Sequence, residues 1–284
     1  ELLQNQSPEF EKIGLDKNQF NLLDQEQCLK KIKEIKPDWI INAAAFTEVD
    51  NSEIQIKKAF AINSDAVQIL AKTVSDYGGK LLHISTDFVF DGLKKKPYLP
   101  TDICRPINTY GASKLKGEFL SLKYPGTIIV RTSWLYGHSG KNFCLKMIEL
   151  QEKFNKQGKP IYVVNDQLGS PTNVIDLSEL CWKIIKNNFS FKSNFKIFHW
   201  SNRGIISWYD FAISIGKWAK EYGLIHEQAL IKPIKSSEYK TLAKRPMFSA
   251  LDCQATEKYF KINQIDWEES LKRSLKIIAN RGKN

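Results

Sequence analysis

Three short apolar runs, each followed by a helical stretch, constrain the fold of this chain more than any other feature. They are Trp39-Ile40-Ile41-Asn42-Ala43-Ala44-Ala45, Leu81-Leu82-His83-Ile84-Ser85-Thr86 and Thr127-Ile128-Ile129-Val130-Arg131-Thr132. None shows the in-out alternation of a half-solvated strand, so each reads as a strand covered on both faces. Asp24 with Gln27 opens a helix whose apolar face is Cys28, Leu29, Ile32 and Ile35, and Pro37 stops it. A second helix is expected over Ile54 to Tyr77, ended by Gly78-Gly79. A third begins near Tyr110. Strands alternating with helices imply right-handed crossovers and a doubly wound α/β fold, its parallel sheet covered on both sides. Phe10 to Asp16 is expected to add a short strand ending in an acid.

Past Trp134 the alternation fades. Strands are expected over Pro160–Asn165 and Phe195–Ser201. Helices are expected over Val174–Asn187, Trp208–Tyr222 and Trp267–Ala279, with an extended segment over Thr241–Asp252. The division read from this is a sheet domain over residues 1–137, to which strand 195–201 returns, and a smaller lid over 138–284. The lid would cover the carboxyl edge of the sheet, where open α/β sheets bind ligands.

Composition narrows the classes. The 284 residues suffice for a real core, and no apolar run approaches the ~18 residues of a membrane span. Five scattered cysteines without metal-ligand spacing indicate reduced thiols and a cytoplasmic setting. The net charge of +11 is nearly all lysine spread along the chain, so it argues for a field that attracts an anionic small substrate rather than for nucleic-acid binding. The four histidines stand apart, and strand-borne His83 and His199 read as satisfied structural residues rather than metal ligands.

Tyr110 and Lys114 lie four residues apart at a helix start, a spacing that puts both side chains on one face. A lysine ammonium beside a phenol is expected to lower the phenol's pKa from about 10 towards working pH. Such a phenol exchanges a proton with a carbonyl oxygen or an alcohol. Alone, the pair has a bland alternative, a helix start with a solvated lysine.

The surrounding motifs decide between the two. Ile41 to Asp50, His83-Ile84-Ser85-Thr86-Asp87-Phe88-Val89-Phe90-Asp91-Gly92, the Asn108–Glu118 stretch and Arg131-Thr132-Ser133-Trp134-Leu135-Tyr136-Gly137 occur in this order. Asn165 to Thr172, Ser207 to Ala212, and Arg245-Pro246 with Ser249 and Leu251 follow. Together they resemble the extended short-chain dehydrogenase/reductase family, and within it the dTDP-4-dehydrorhamnose reductases. The resemblance implies a Rossmann-like fold and reduction of the 4-keto group of a dTDP-linked 6-deoxysugar, a nucleotide-sugar substrate, with NADPH or NADH. It assigns Tyr110 as general acid, Lys114 as the residue that tunes Tyr110 and holds the nicotinamide ribose, and Thr86 as a donor to the same carbonyl oxygen. Asp87, Trp134, Gln167 and Arg245 match positions on the sugar-nucleotide side. Core packing is the alternative for Trp134, and a surface salt bridge for Arg245. Ala45, Phe46 and Thr47 flank the adenosine side, with Asn21 and Leu22 at the adenine and Asp16 facing the ribose 2′-hydroxyl, the last leaning towards NADH. A homodimer is compatible with the resemblance.

The sequence departs from the family at its start. No Gly-x-x-Gly-x-x-Gly loop occurs, and the strand that precedes it is missing. The reading taken is a truncated form of a longer chain, with a chain that has lost dinucleotide binding as the alternative. Loss of that strand is expected to leave two strand edges facing a gap. Three other functions compete: a reductase or epimerase of another nucleotide sugar, a non-catalytic binding or regulatory subunit on the same fold, and a basic nucleic-acid binder.

Overall fold

A computed structural model describes residues 1–4, 9–187 and 196–281. Its centre is a parallel sheet of four strands. Strand β1 (Trp39–Asn42) lies beside β2 (Lys80–Thr86), β2 beside β3 (Thr127–Thr132), and β3 beside the strand Ile197–His199. The registers set Asn42 opposite His83, Thr86 opposite Thr132, and Arg131 opposite both Ser85 and His199.

Both faces of the sheet are covered, which explains the unbroken apolar runs. Leu81 packs with Ile32, Val67, Leu70, Ala71 and Val74 under the helices Gln25–Ile35 and Ala66–Ser75. Its neighbour Leu82 points the other way, into a core with Ile128, Val130, Leu180, Ile184 and Phe198. That core includes the helix Val174–Lys186, which packs against the sheet although it lies far along the chain. Phe195, expected to open the returning strand, lies outside the described residues.

The segment Phe10–Asp16 departs from expectation. Residues 11–16 form no strand, and Ile13 and Leu15 face solvent. The sheet ends at β1, so among the described residues no gap divides it. A strand is held by ladder bonds to a neighbour, and this segment makes none.

The second half builds its own apolar cluster. The helices Phe143–Lys156, Trp208–Glu221 and Trp267–Arg281 surround Tyr136, Met147, Phe211, Ile215, Leu271 and Leu275, with Ile161 and Val163 from a two-stranded parallel pair. The extended segment Thr241–Asp252 joins the halves. Leu168 and Ser249 bond through their backbones on one side, and Tyr98 bonds Ala250 and Asp252 on the other.

Candidate active site

The helix Thr109–Ser121 carries the Tyr110/Lys114 pair, and three anchors fix its start. Asn108 caps it, accepting from the Gly111 N–H at 2.7 Å, while its Nδ2 donates to the Lys244 carbonyl. Glu53 accepts from both the amide and the hydroxyl of Thr109 at 2.8 Å, a carboxylate at the positive end of the helix. Gly111 and Gly117 let the helix lie flush: a Cβ on either would stand 2.1 Å from the carbonyl oxygens of Phe88 and Asn63 respectively.

Thr86 ends β2 at the carboxyl edge, buried, and donates to Asp87 Oδ1 at 3.0 Å. Its hydroxyl also bonds the Tyr110 phenol. Thr86, Asp87 and Tyr110 therefore meet at one point. The expected electrostatics do not hold. Burial pushes Tyr110 up to about 12, the Thr86 hydrogen bond pulls it back, and the Asp87 charge adds to the rise. Lys114 does not offset this; its ammonium donates to the Ile84 carbonyl at 2.7 Å and to His83 Nε2 at 3.2 Å. Burial pulls Lys114 itself down to about 8, against Glu118 on the same helix.

Asp87 is buried, and desolvation raises it to about 6 against the hydroxyls of Ser249 and Thr86. A carboxyl whose folded pKa lies above its unfolded value binds more protons when folded. Its stabilising contribution is therefore full below the unfolded value near 4, and is lost as pH climbs through about 6. Asp87→Asn is expected to stabilise the fold by about 1–3 kcal/mol at pH 8 and to add nothing near pH 4. Urea unfolding of both proteins at the two pH values checks this; equal shifts at both would remove the carboxyl's desolvation as the cause.

Trp134 follows β3 with a φ of +46°, a left-handed backbone costly for a bulky residue. Its indole stacks on Trp208, with ring centroids 3.6 Å apart and planes 9° apart. It also lies over Gly169, where a Cβ would stand 2.7 Å from the indole. Gln167 donates to the Ser236 hydroxyl at 2.9 Å. Arg245 pairs with Asp50 at 2.7 Å, the salt-bridge alternative, while its Nη1 is buried without a partner. Gln167 and Arg245 nevertheless line one cavity of about 420 Å³, with Lys240, Lys244, Tyr239 and Ile107.

On the other side, the loop after β1 is fixed yet uncovered. Asn63 accepts from the Phe46 N–H at 2.8 Å, donates to the Phe46 carbonyl at 3.1 Å, and reaches Ser113 on the Tyr110 helix. Ala43, Ala44 and Thr47 remain exposed. Lys114 suits a ribose hydroxyl of a dinucleotide: two of the three ammonium protons are used, and one is left for a hydroxyl. Asp16 is exposed and accepts from Asn18 and Gln19 in a local turn. Asn21 accepts from the Leu23 amide, and Leu22 packs on the helices beneath.

Asn63, Asp50 and Glu53 hold the site together with no sequence signal of their own, while His83, read from the sequence as a satisfied structural residue, binds Lys114.

The model of the RmlD substrate binding domain family matches residues 1–280. A dTDP-4-dehydrorhamnose reductase of Aggregatibacter actinomycetemcomitans is 37% identical over 265 residues, 93% of this chain and 89% of that one. The spore coat polysaccharide biosynthesis protein SpsK of Bacillus subtilis is 38% identical over 267 residues, 94% and 88% of the two chains. The crystal structure of dTDP-4-dehydrorhamnose reductase from Bacillus anthracis in complex with NADP superposes with a TM-score of 0.85 at 34% identity, covering 96% of this chain and 92% of that one.

Proposed function

The chain belongs to the RmlD substrate binding domain family, and from that premise we propose that it reduces dTDP-4-dehydrorhamnose (dTDP-4-dehydro-6-deoxy-L-mannose) to dTDP-L-rhamnose with NADPH or NADH. The observation that carries the reading is the meeting of Thr86, Asp87 and Tyr110 at the carboxyl end of β2, with Tyr110 on the same helix as Lys114. A nicotinamide bound there would supply the hydride to the sugar's 4-carbon. Tyr110 and Lys114 are the residues to hold that end of the cofactor, with Ala45, Phe46, Thr47, Asp16, Asn21 and Leu22 on the adenosine side.

Tyr110 gives its proton to the oxygen that becomes the new alcohol. Burial keeps the phenol protonated, so it stands ready as the acid. Transfer runs downhill, because an alkoxide is a far stronger base than a phenolate even at about 12. Thr86 turns its one hydroxyl proton from Asp87 to the same oxygen and stabilises the charge that develops on it. Trp134 and Gln167 line the sugar-nucleotide side, where the lysines and the unpartnered Arg245 Nη1 favour a diphosphate.

In this reading residues 1–137, with the strand returning at 197–199, take the cofactor, and 138–284 take most of the substrate. Among the described residues no helix is long and apolar enough to cross a membrane; a cytoplasmic homodimer completes the proposal. The test is oxidation of NADPH or NADH by the purified chain with dTDP-4-dehydrorhamnose, with dTDP-L-rhamnose identified by NMR. Absence of product with either cofactor, from protein whose circular dichroism shows it folded, would overturn the assignment.

A further inference from the structure

His83 is fully buried in the middle of β2, where Leu81, Leu82 and Ile84 beside it are apolar. An imidazole there needs partners for both nitrogens, since an unpaired buried polar atom is costly. Nε2 lies 3.2 Å from Lys114 Nζ, Nδ1 lies 3.1 Å from the Asn42 amide nitrogen Nδ2, and the Asn42 backbone carbonyl accepts from the ring. Two donors, Lys114 Nζ and Asn42 Nδ2, thus face a neutral ring that has one lone pair; the ammonium makes the stronger, charge-assisted bond, so Nε2 presents its lone pair and Nδ1 carries the proton for the Asn42 backbone carbonyl. A charged imidazolium would set two cations 3.2 Å apart in a buried site. Burial and Lys114 together hold His83 well below its ordinary value, so it stays neutral.

We infer that His83 is a positioning residue for Lys114: its Nε2 lone pair and the Ile84 carbonyl form a two-acceptor seat that fixes the ammonium and keeps it charged beside the reaction centre. The role rests on Lys114 serving the reductase as proposed above. A lysine side chain has four rotatable bonds and loses rotamer freedom when it is fixed. The Ile84 carbonyl alone leaves Nζ free to swing about one contact; the imidazole, itself clamped to β1, removes that freedom. The other charged group facing Lys114 is Glu118, one turn along its own helix, and Glu118 is already bound by Arg131 and Ser85. From β1 the group in this network is the neutral Asn42.

An acceptor favours the ammonium over the free amine, so its removal lowers the Lys114 pKa, which burial already holds at about 8. The test compares His83→Leu and His83→Gln, the second of which keeps an amide oxygen within reach of Lys114. Two readouts are taken: titration of the Lys114 side-chain nitrogen by ¹⁵N NMR, with its signal assigned by Lys114→Met, and kcat/KM for sugar reduction across pH. In His83→Leu the Lys114 titration is expected to move down by about one unit. In the same variant kcat/KM is expected to fall by about 10- to 100-fold. His83→Gln is expected to return both towards the native values. If His83→Leu does not fold, His83→Asn, too short to reach Lys114, takes its place with the same expectation. An unchanged Lys114 titration in the Leu or Asn variant overturns the inference, as does a Gln variant that loses as much as either. The titration needs no substrate, so a native chain without turnover sinks the reductase reading while a shifted Lys114 still supports the seat.

Discussion

Tyr110→Phe is expected to lower kcat for sugar reduction by roughly 10²–10⁴-fold, the usual worth of a positioned proton donor. The substitution removes one hydroxyl and little else. The ring packs edge-on against Phe88 with centroids 5.6 Å apart, a contact that phenylalanine keeps. The helix start depends on Asn108, Glu53 and Gly111, none of which the hydroxyl touches. Stability should therefore stay close to native, and the loss should fall on kcat rather than on the KM for the sugar, since the proton moves only as the carbonyl is reduced. Thr86→Val removes the second donor to the same oxygen and is expected to cost less. The double variant should fall well short of the product of the two single losses, because the hydroxyls act on one atom. Steady-state kinetics of the three variants with the nucleotide sugar decide this. A Tyr110→Phe enzyme within about tenfold of native turnover would remove Tyr110 as the acid.

What the sequence revealed of this fold depended on how local the cause was. The Asp24 cap is local, and its carboxylate accepts from the Gln27 amide as expected. The three buried runs became β1, β2 and β3 because no half-solvated strand or exposed helix tolerates such apolar continuity. The helix expected from Ile54 begins instead at Val49 and continues in pieces through a π turn at Ala61–Asp65. An inserted residue is invisible to a 3.6-residue period, yet it is this turn that carries Asn63, the residue binding Phe46 and Ser113. Spacing put Tyr110 and Lys114 on one face but was silent on what else faced Lys114. The acceptors that hold its ammonium are on β2, about thirty residues earlier, and only the folded chain brings them near. Arg245 is a sharper case, since its partner Asp50 is 195 positions away. The left-handed backbone of Trp134 is set by the Trp208 stack and the Gly169 seat, both long-range.

Beneath the site, Glu118→Gln should destabilise the fold by roughly 3–5 kcal/mol, the cost of leaving a buried charge unpaired. Glu118 and Arg131 are each almost wholly buried, and the guanidinium meets the carboxylate through two nitrogens, Nη2 at 2.7 Å and Nε at 3.0 Å. Ser85 donates to the same carboxylate from β2. The other arm of Arg131 reaches the Pro100 carbonyl and His199 Nε2, both at 3.4 Å, and its guanidinium lies 5.2 Å from the Phe90 ring. His199 cannot share the charge, because burial and Arg131 push it down to about 3. In Glu118→Gln the cation therefore keeps only neutral partners. Set against a typical total stability of about 5–15 kcal/mol, such a loss is large. Arg131→Met orphans the carboxylate and should cost a similar amount. The pair Glu118→Leu with Arg131→Met should cost much less than the sum, since apolar groups fill the volume and no charge is left behind. Urea unfolding of the two single variants and the paired one tests this, and additive losses would show that the two charges do not depend on each other. Glu118 lies one turn from Lys114 and raises its pKa, so the same variants also strip an anion from beside the ammonium. The Lys114 titration should then fall in Glu118→Gln as it does in His83→Leu, though by the loss of a charge rather than of an acceptor. That separates the two supports of the lysine: the imidazole seats it, and the buried ion pair sets the field in which it stays charged.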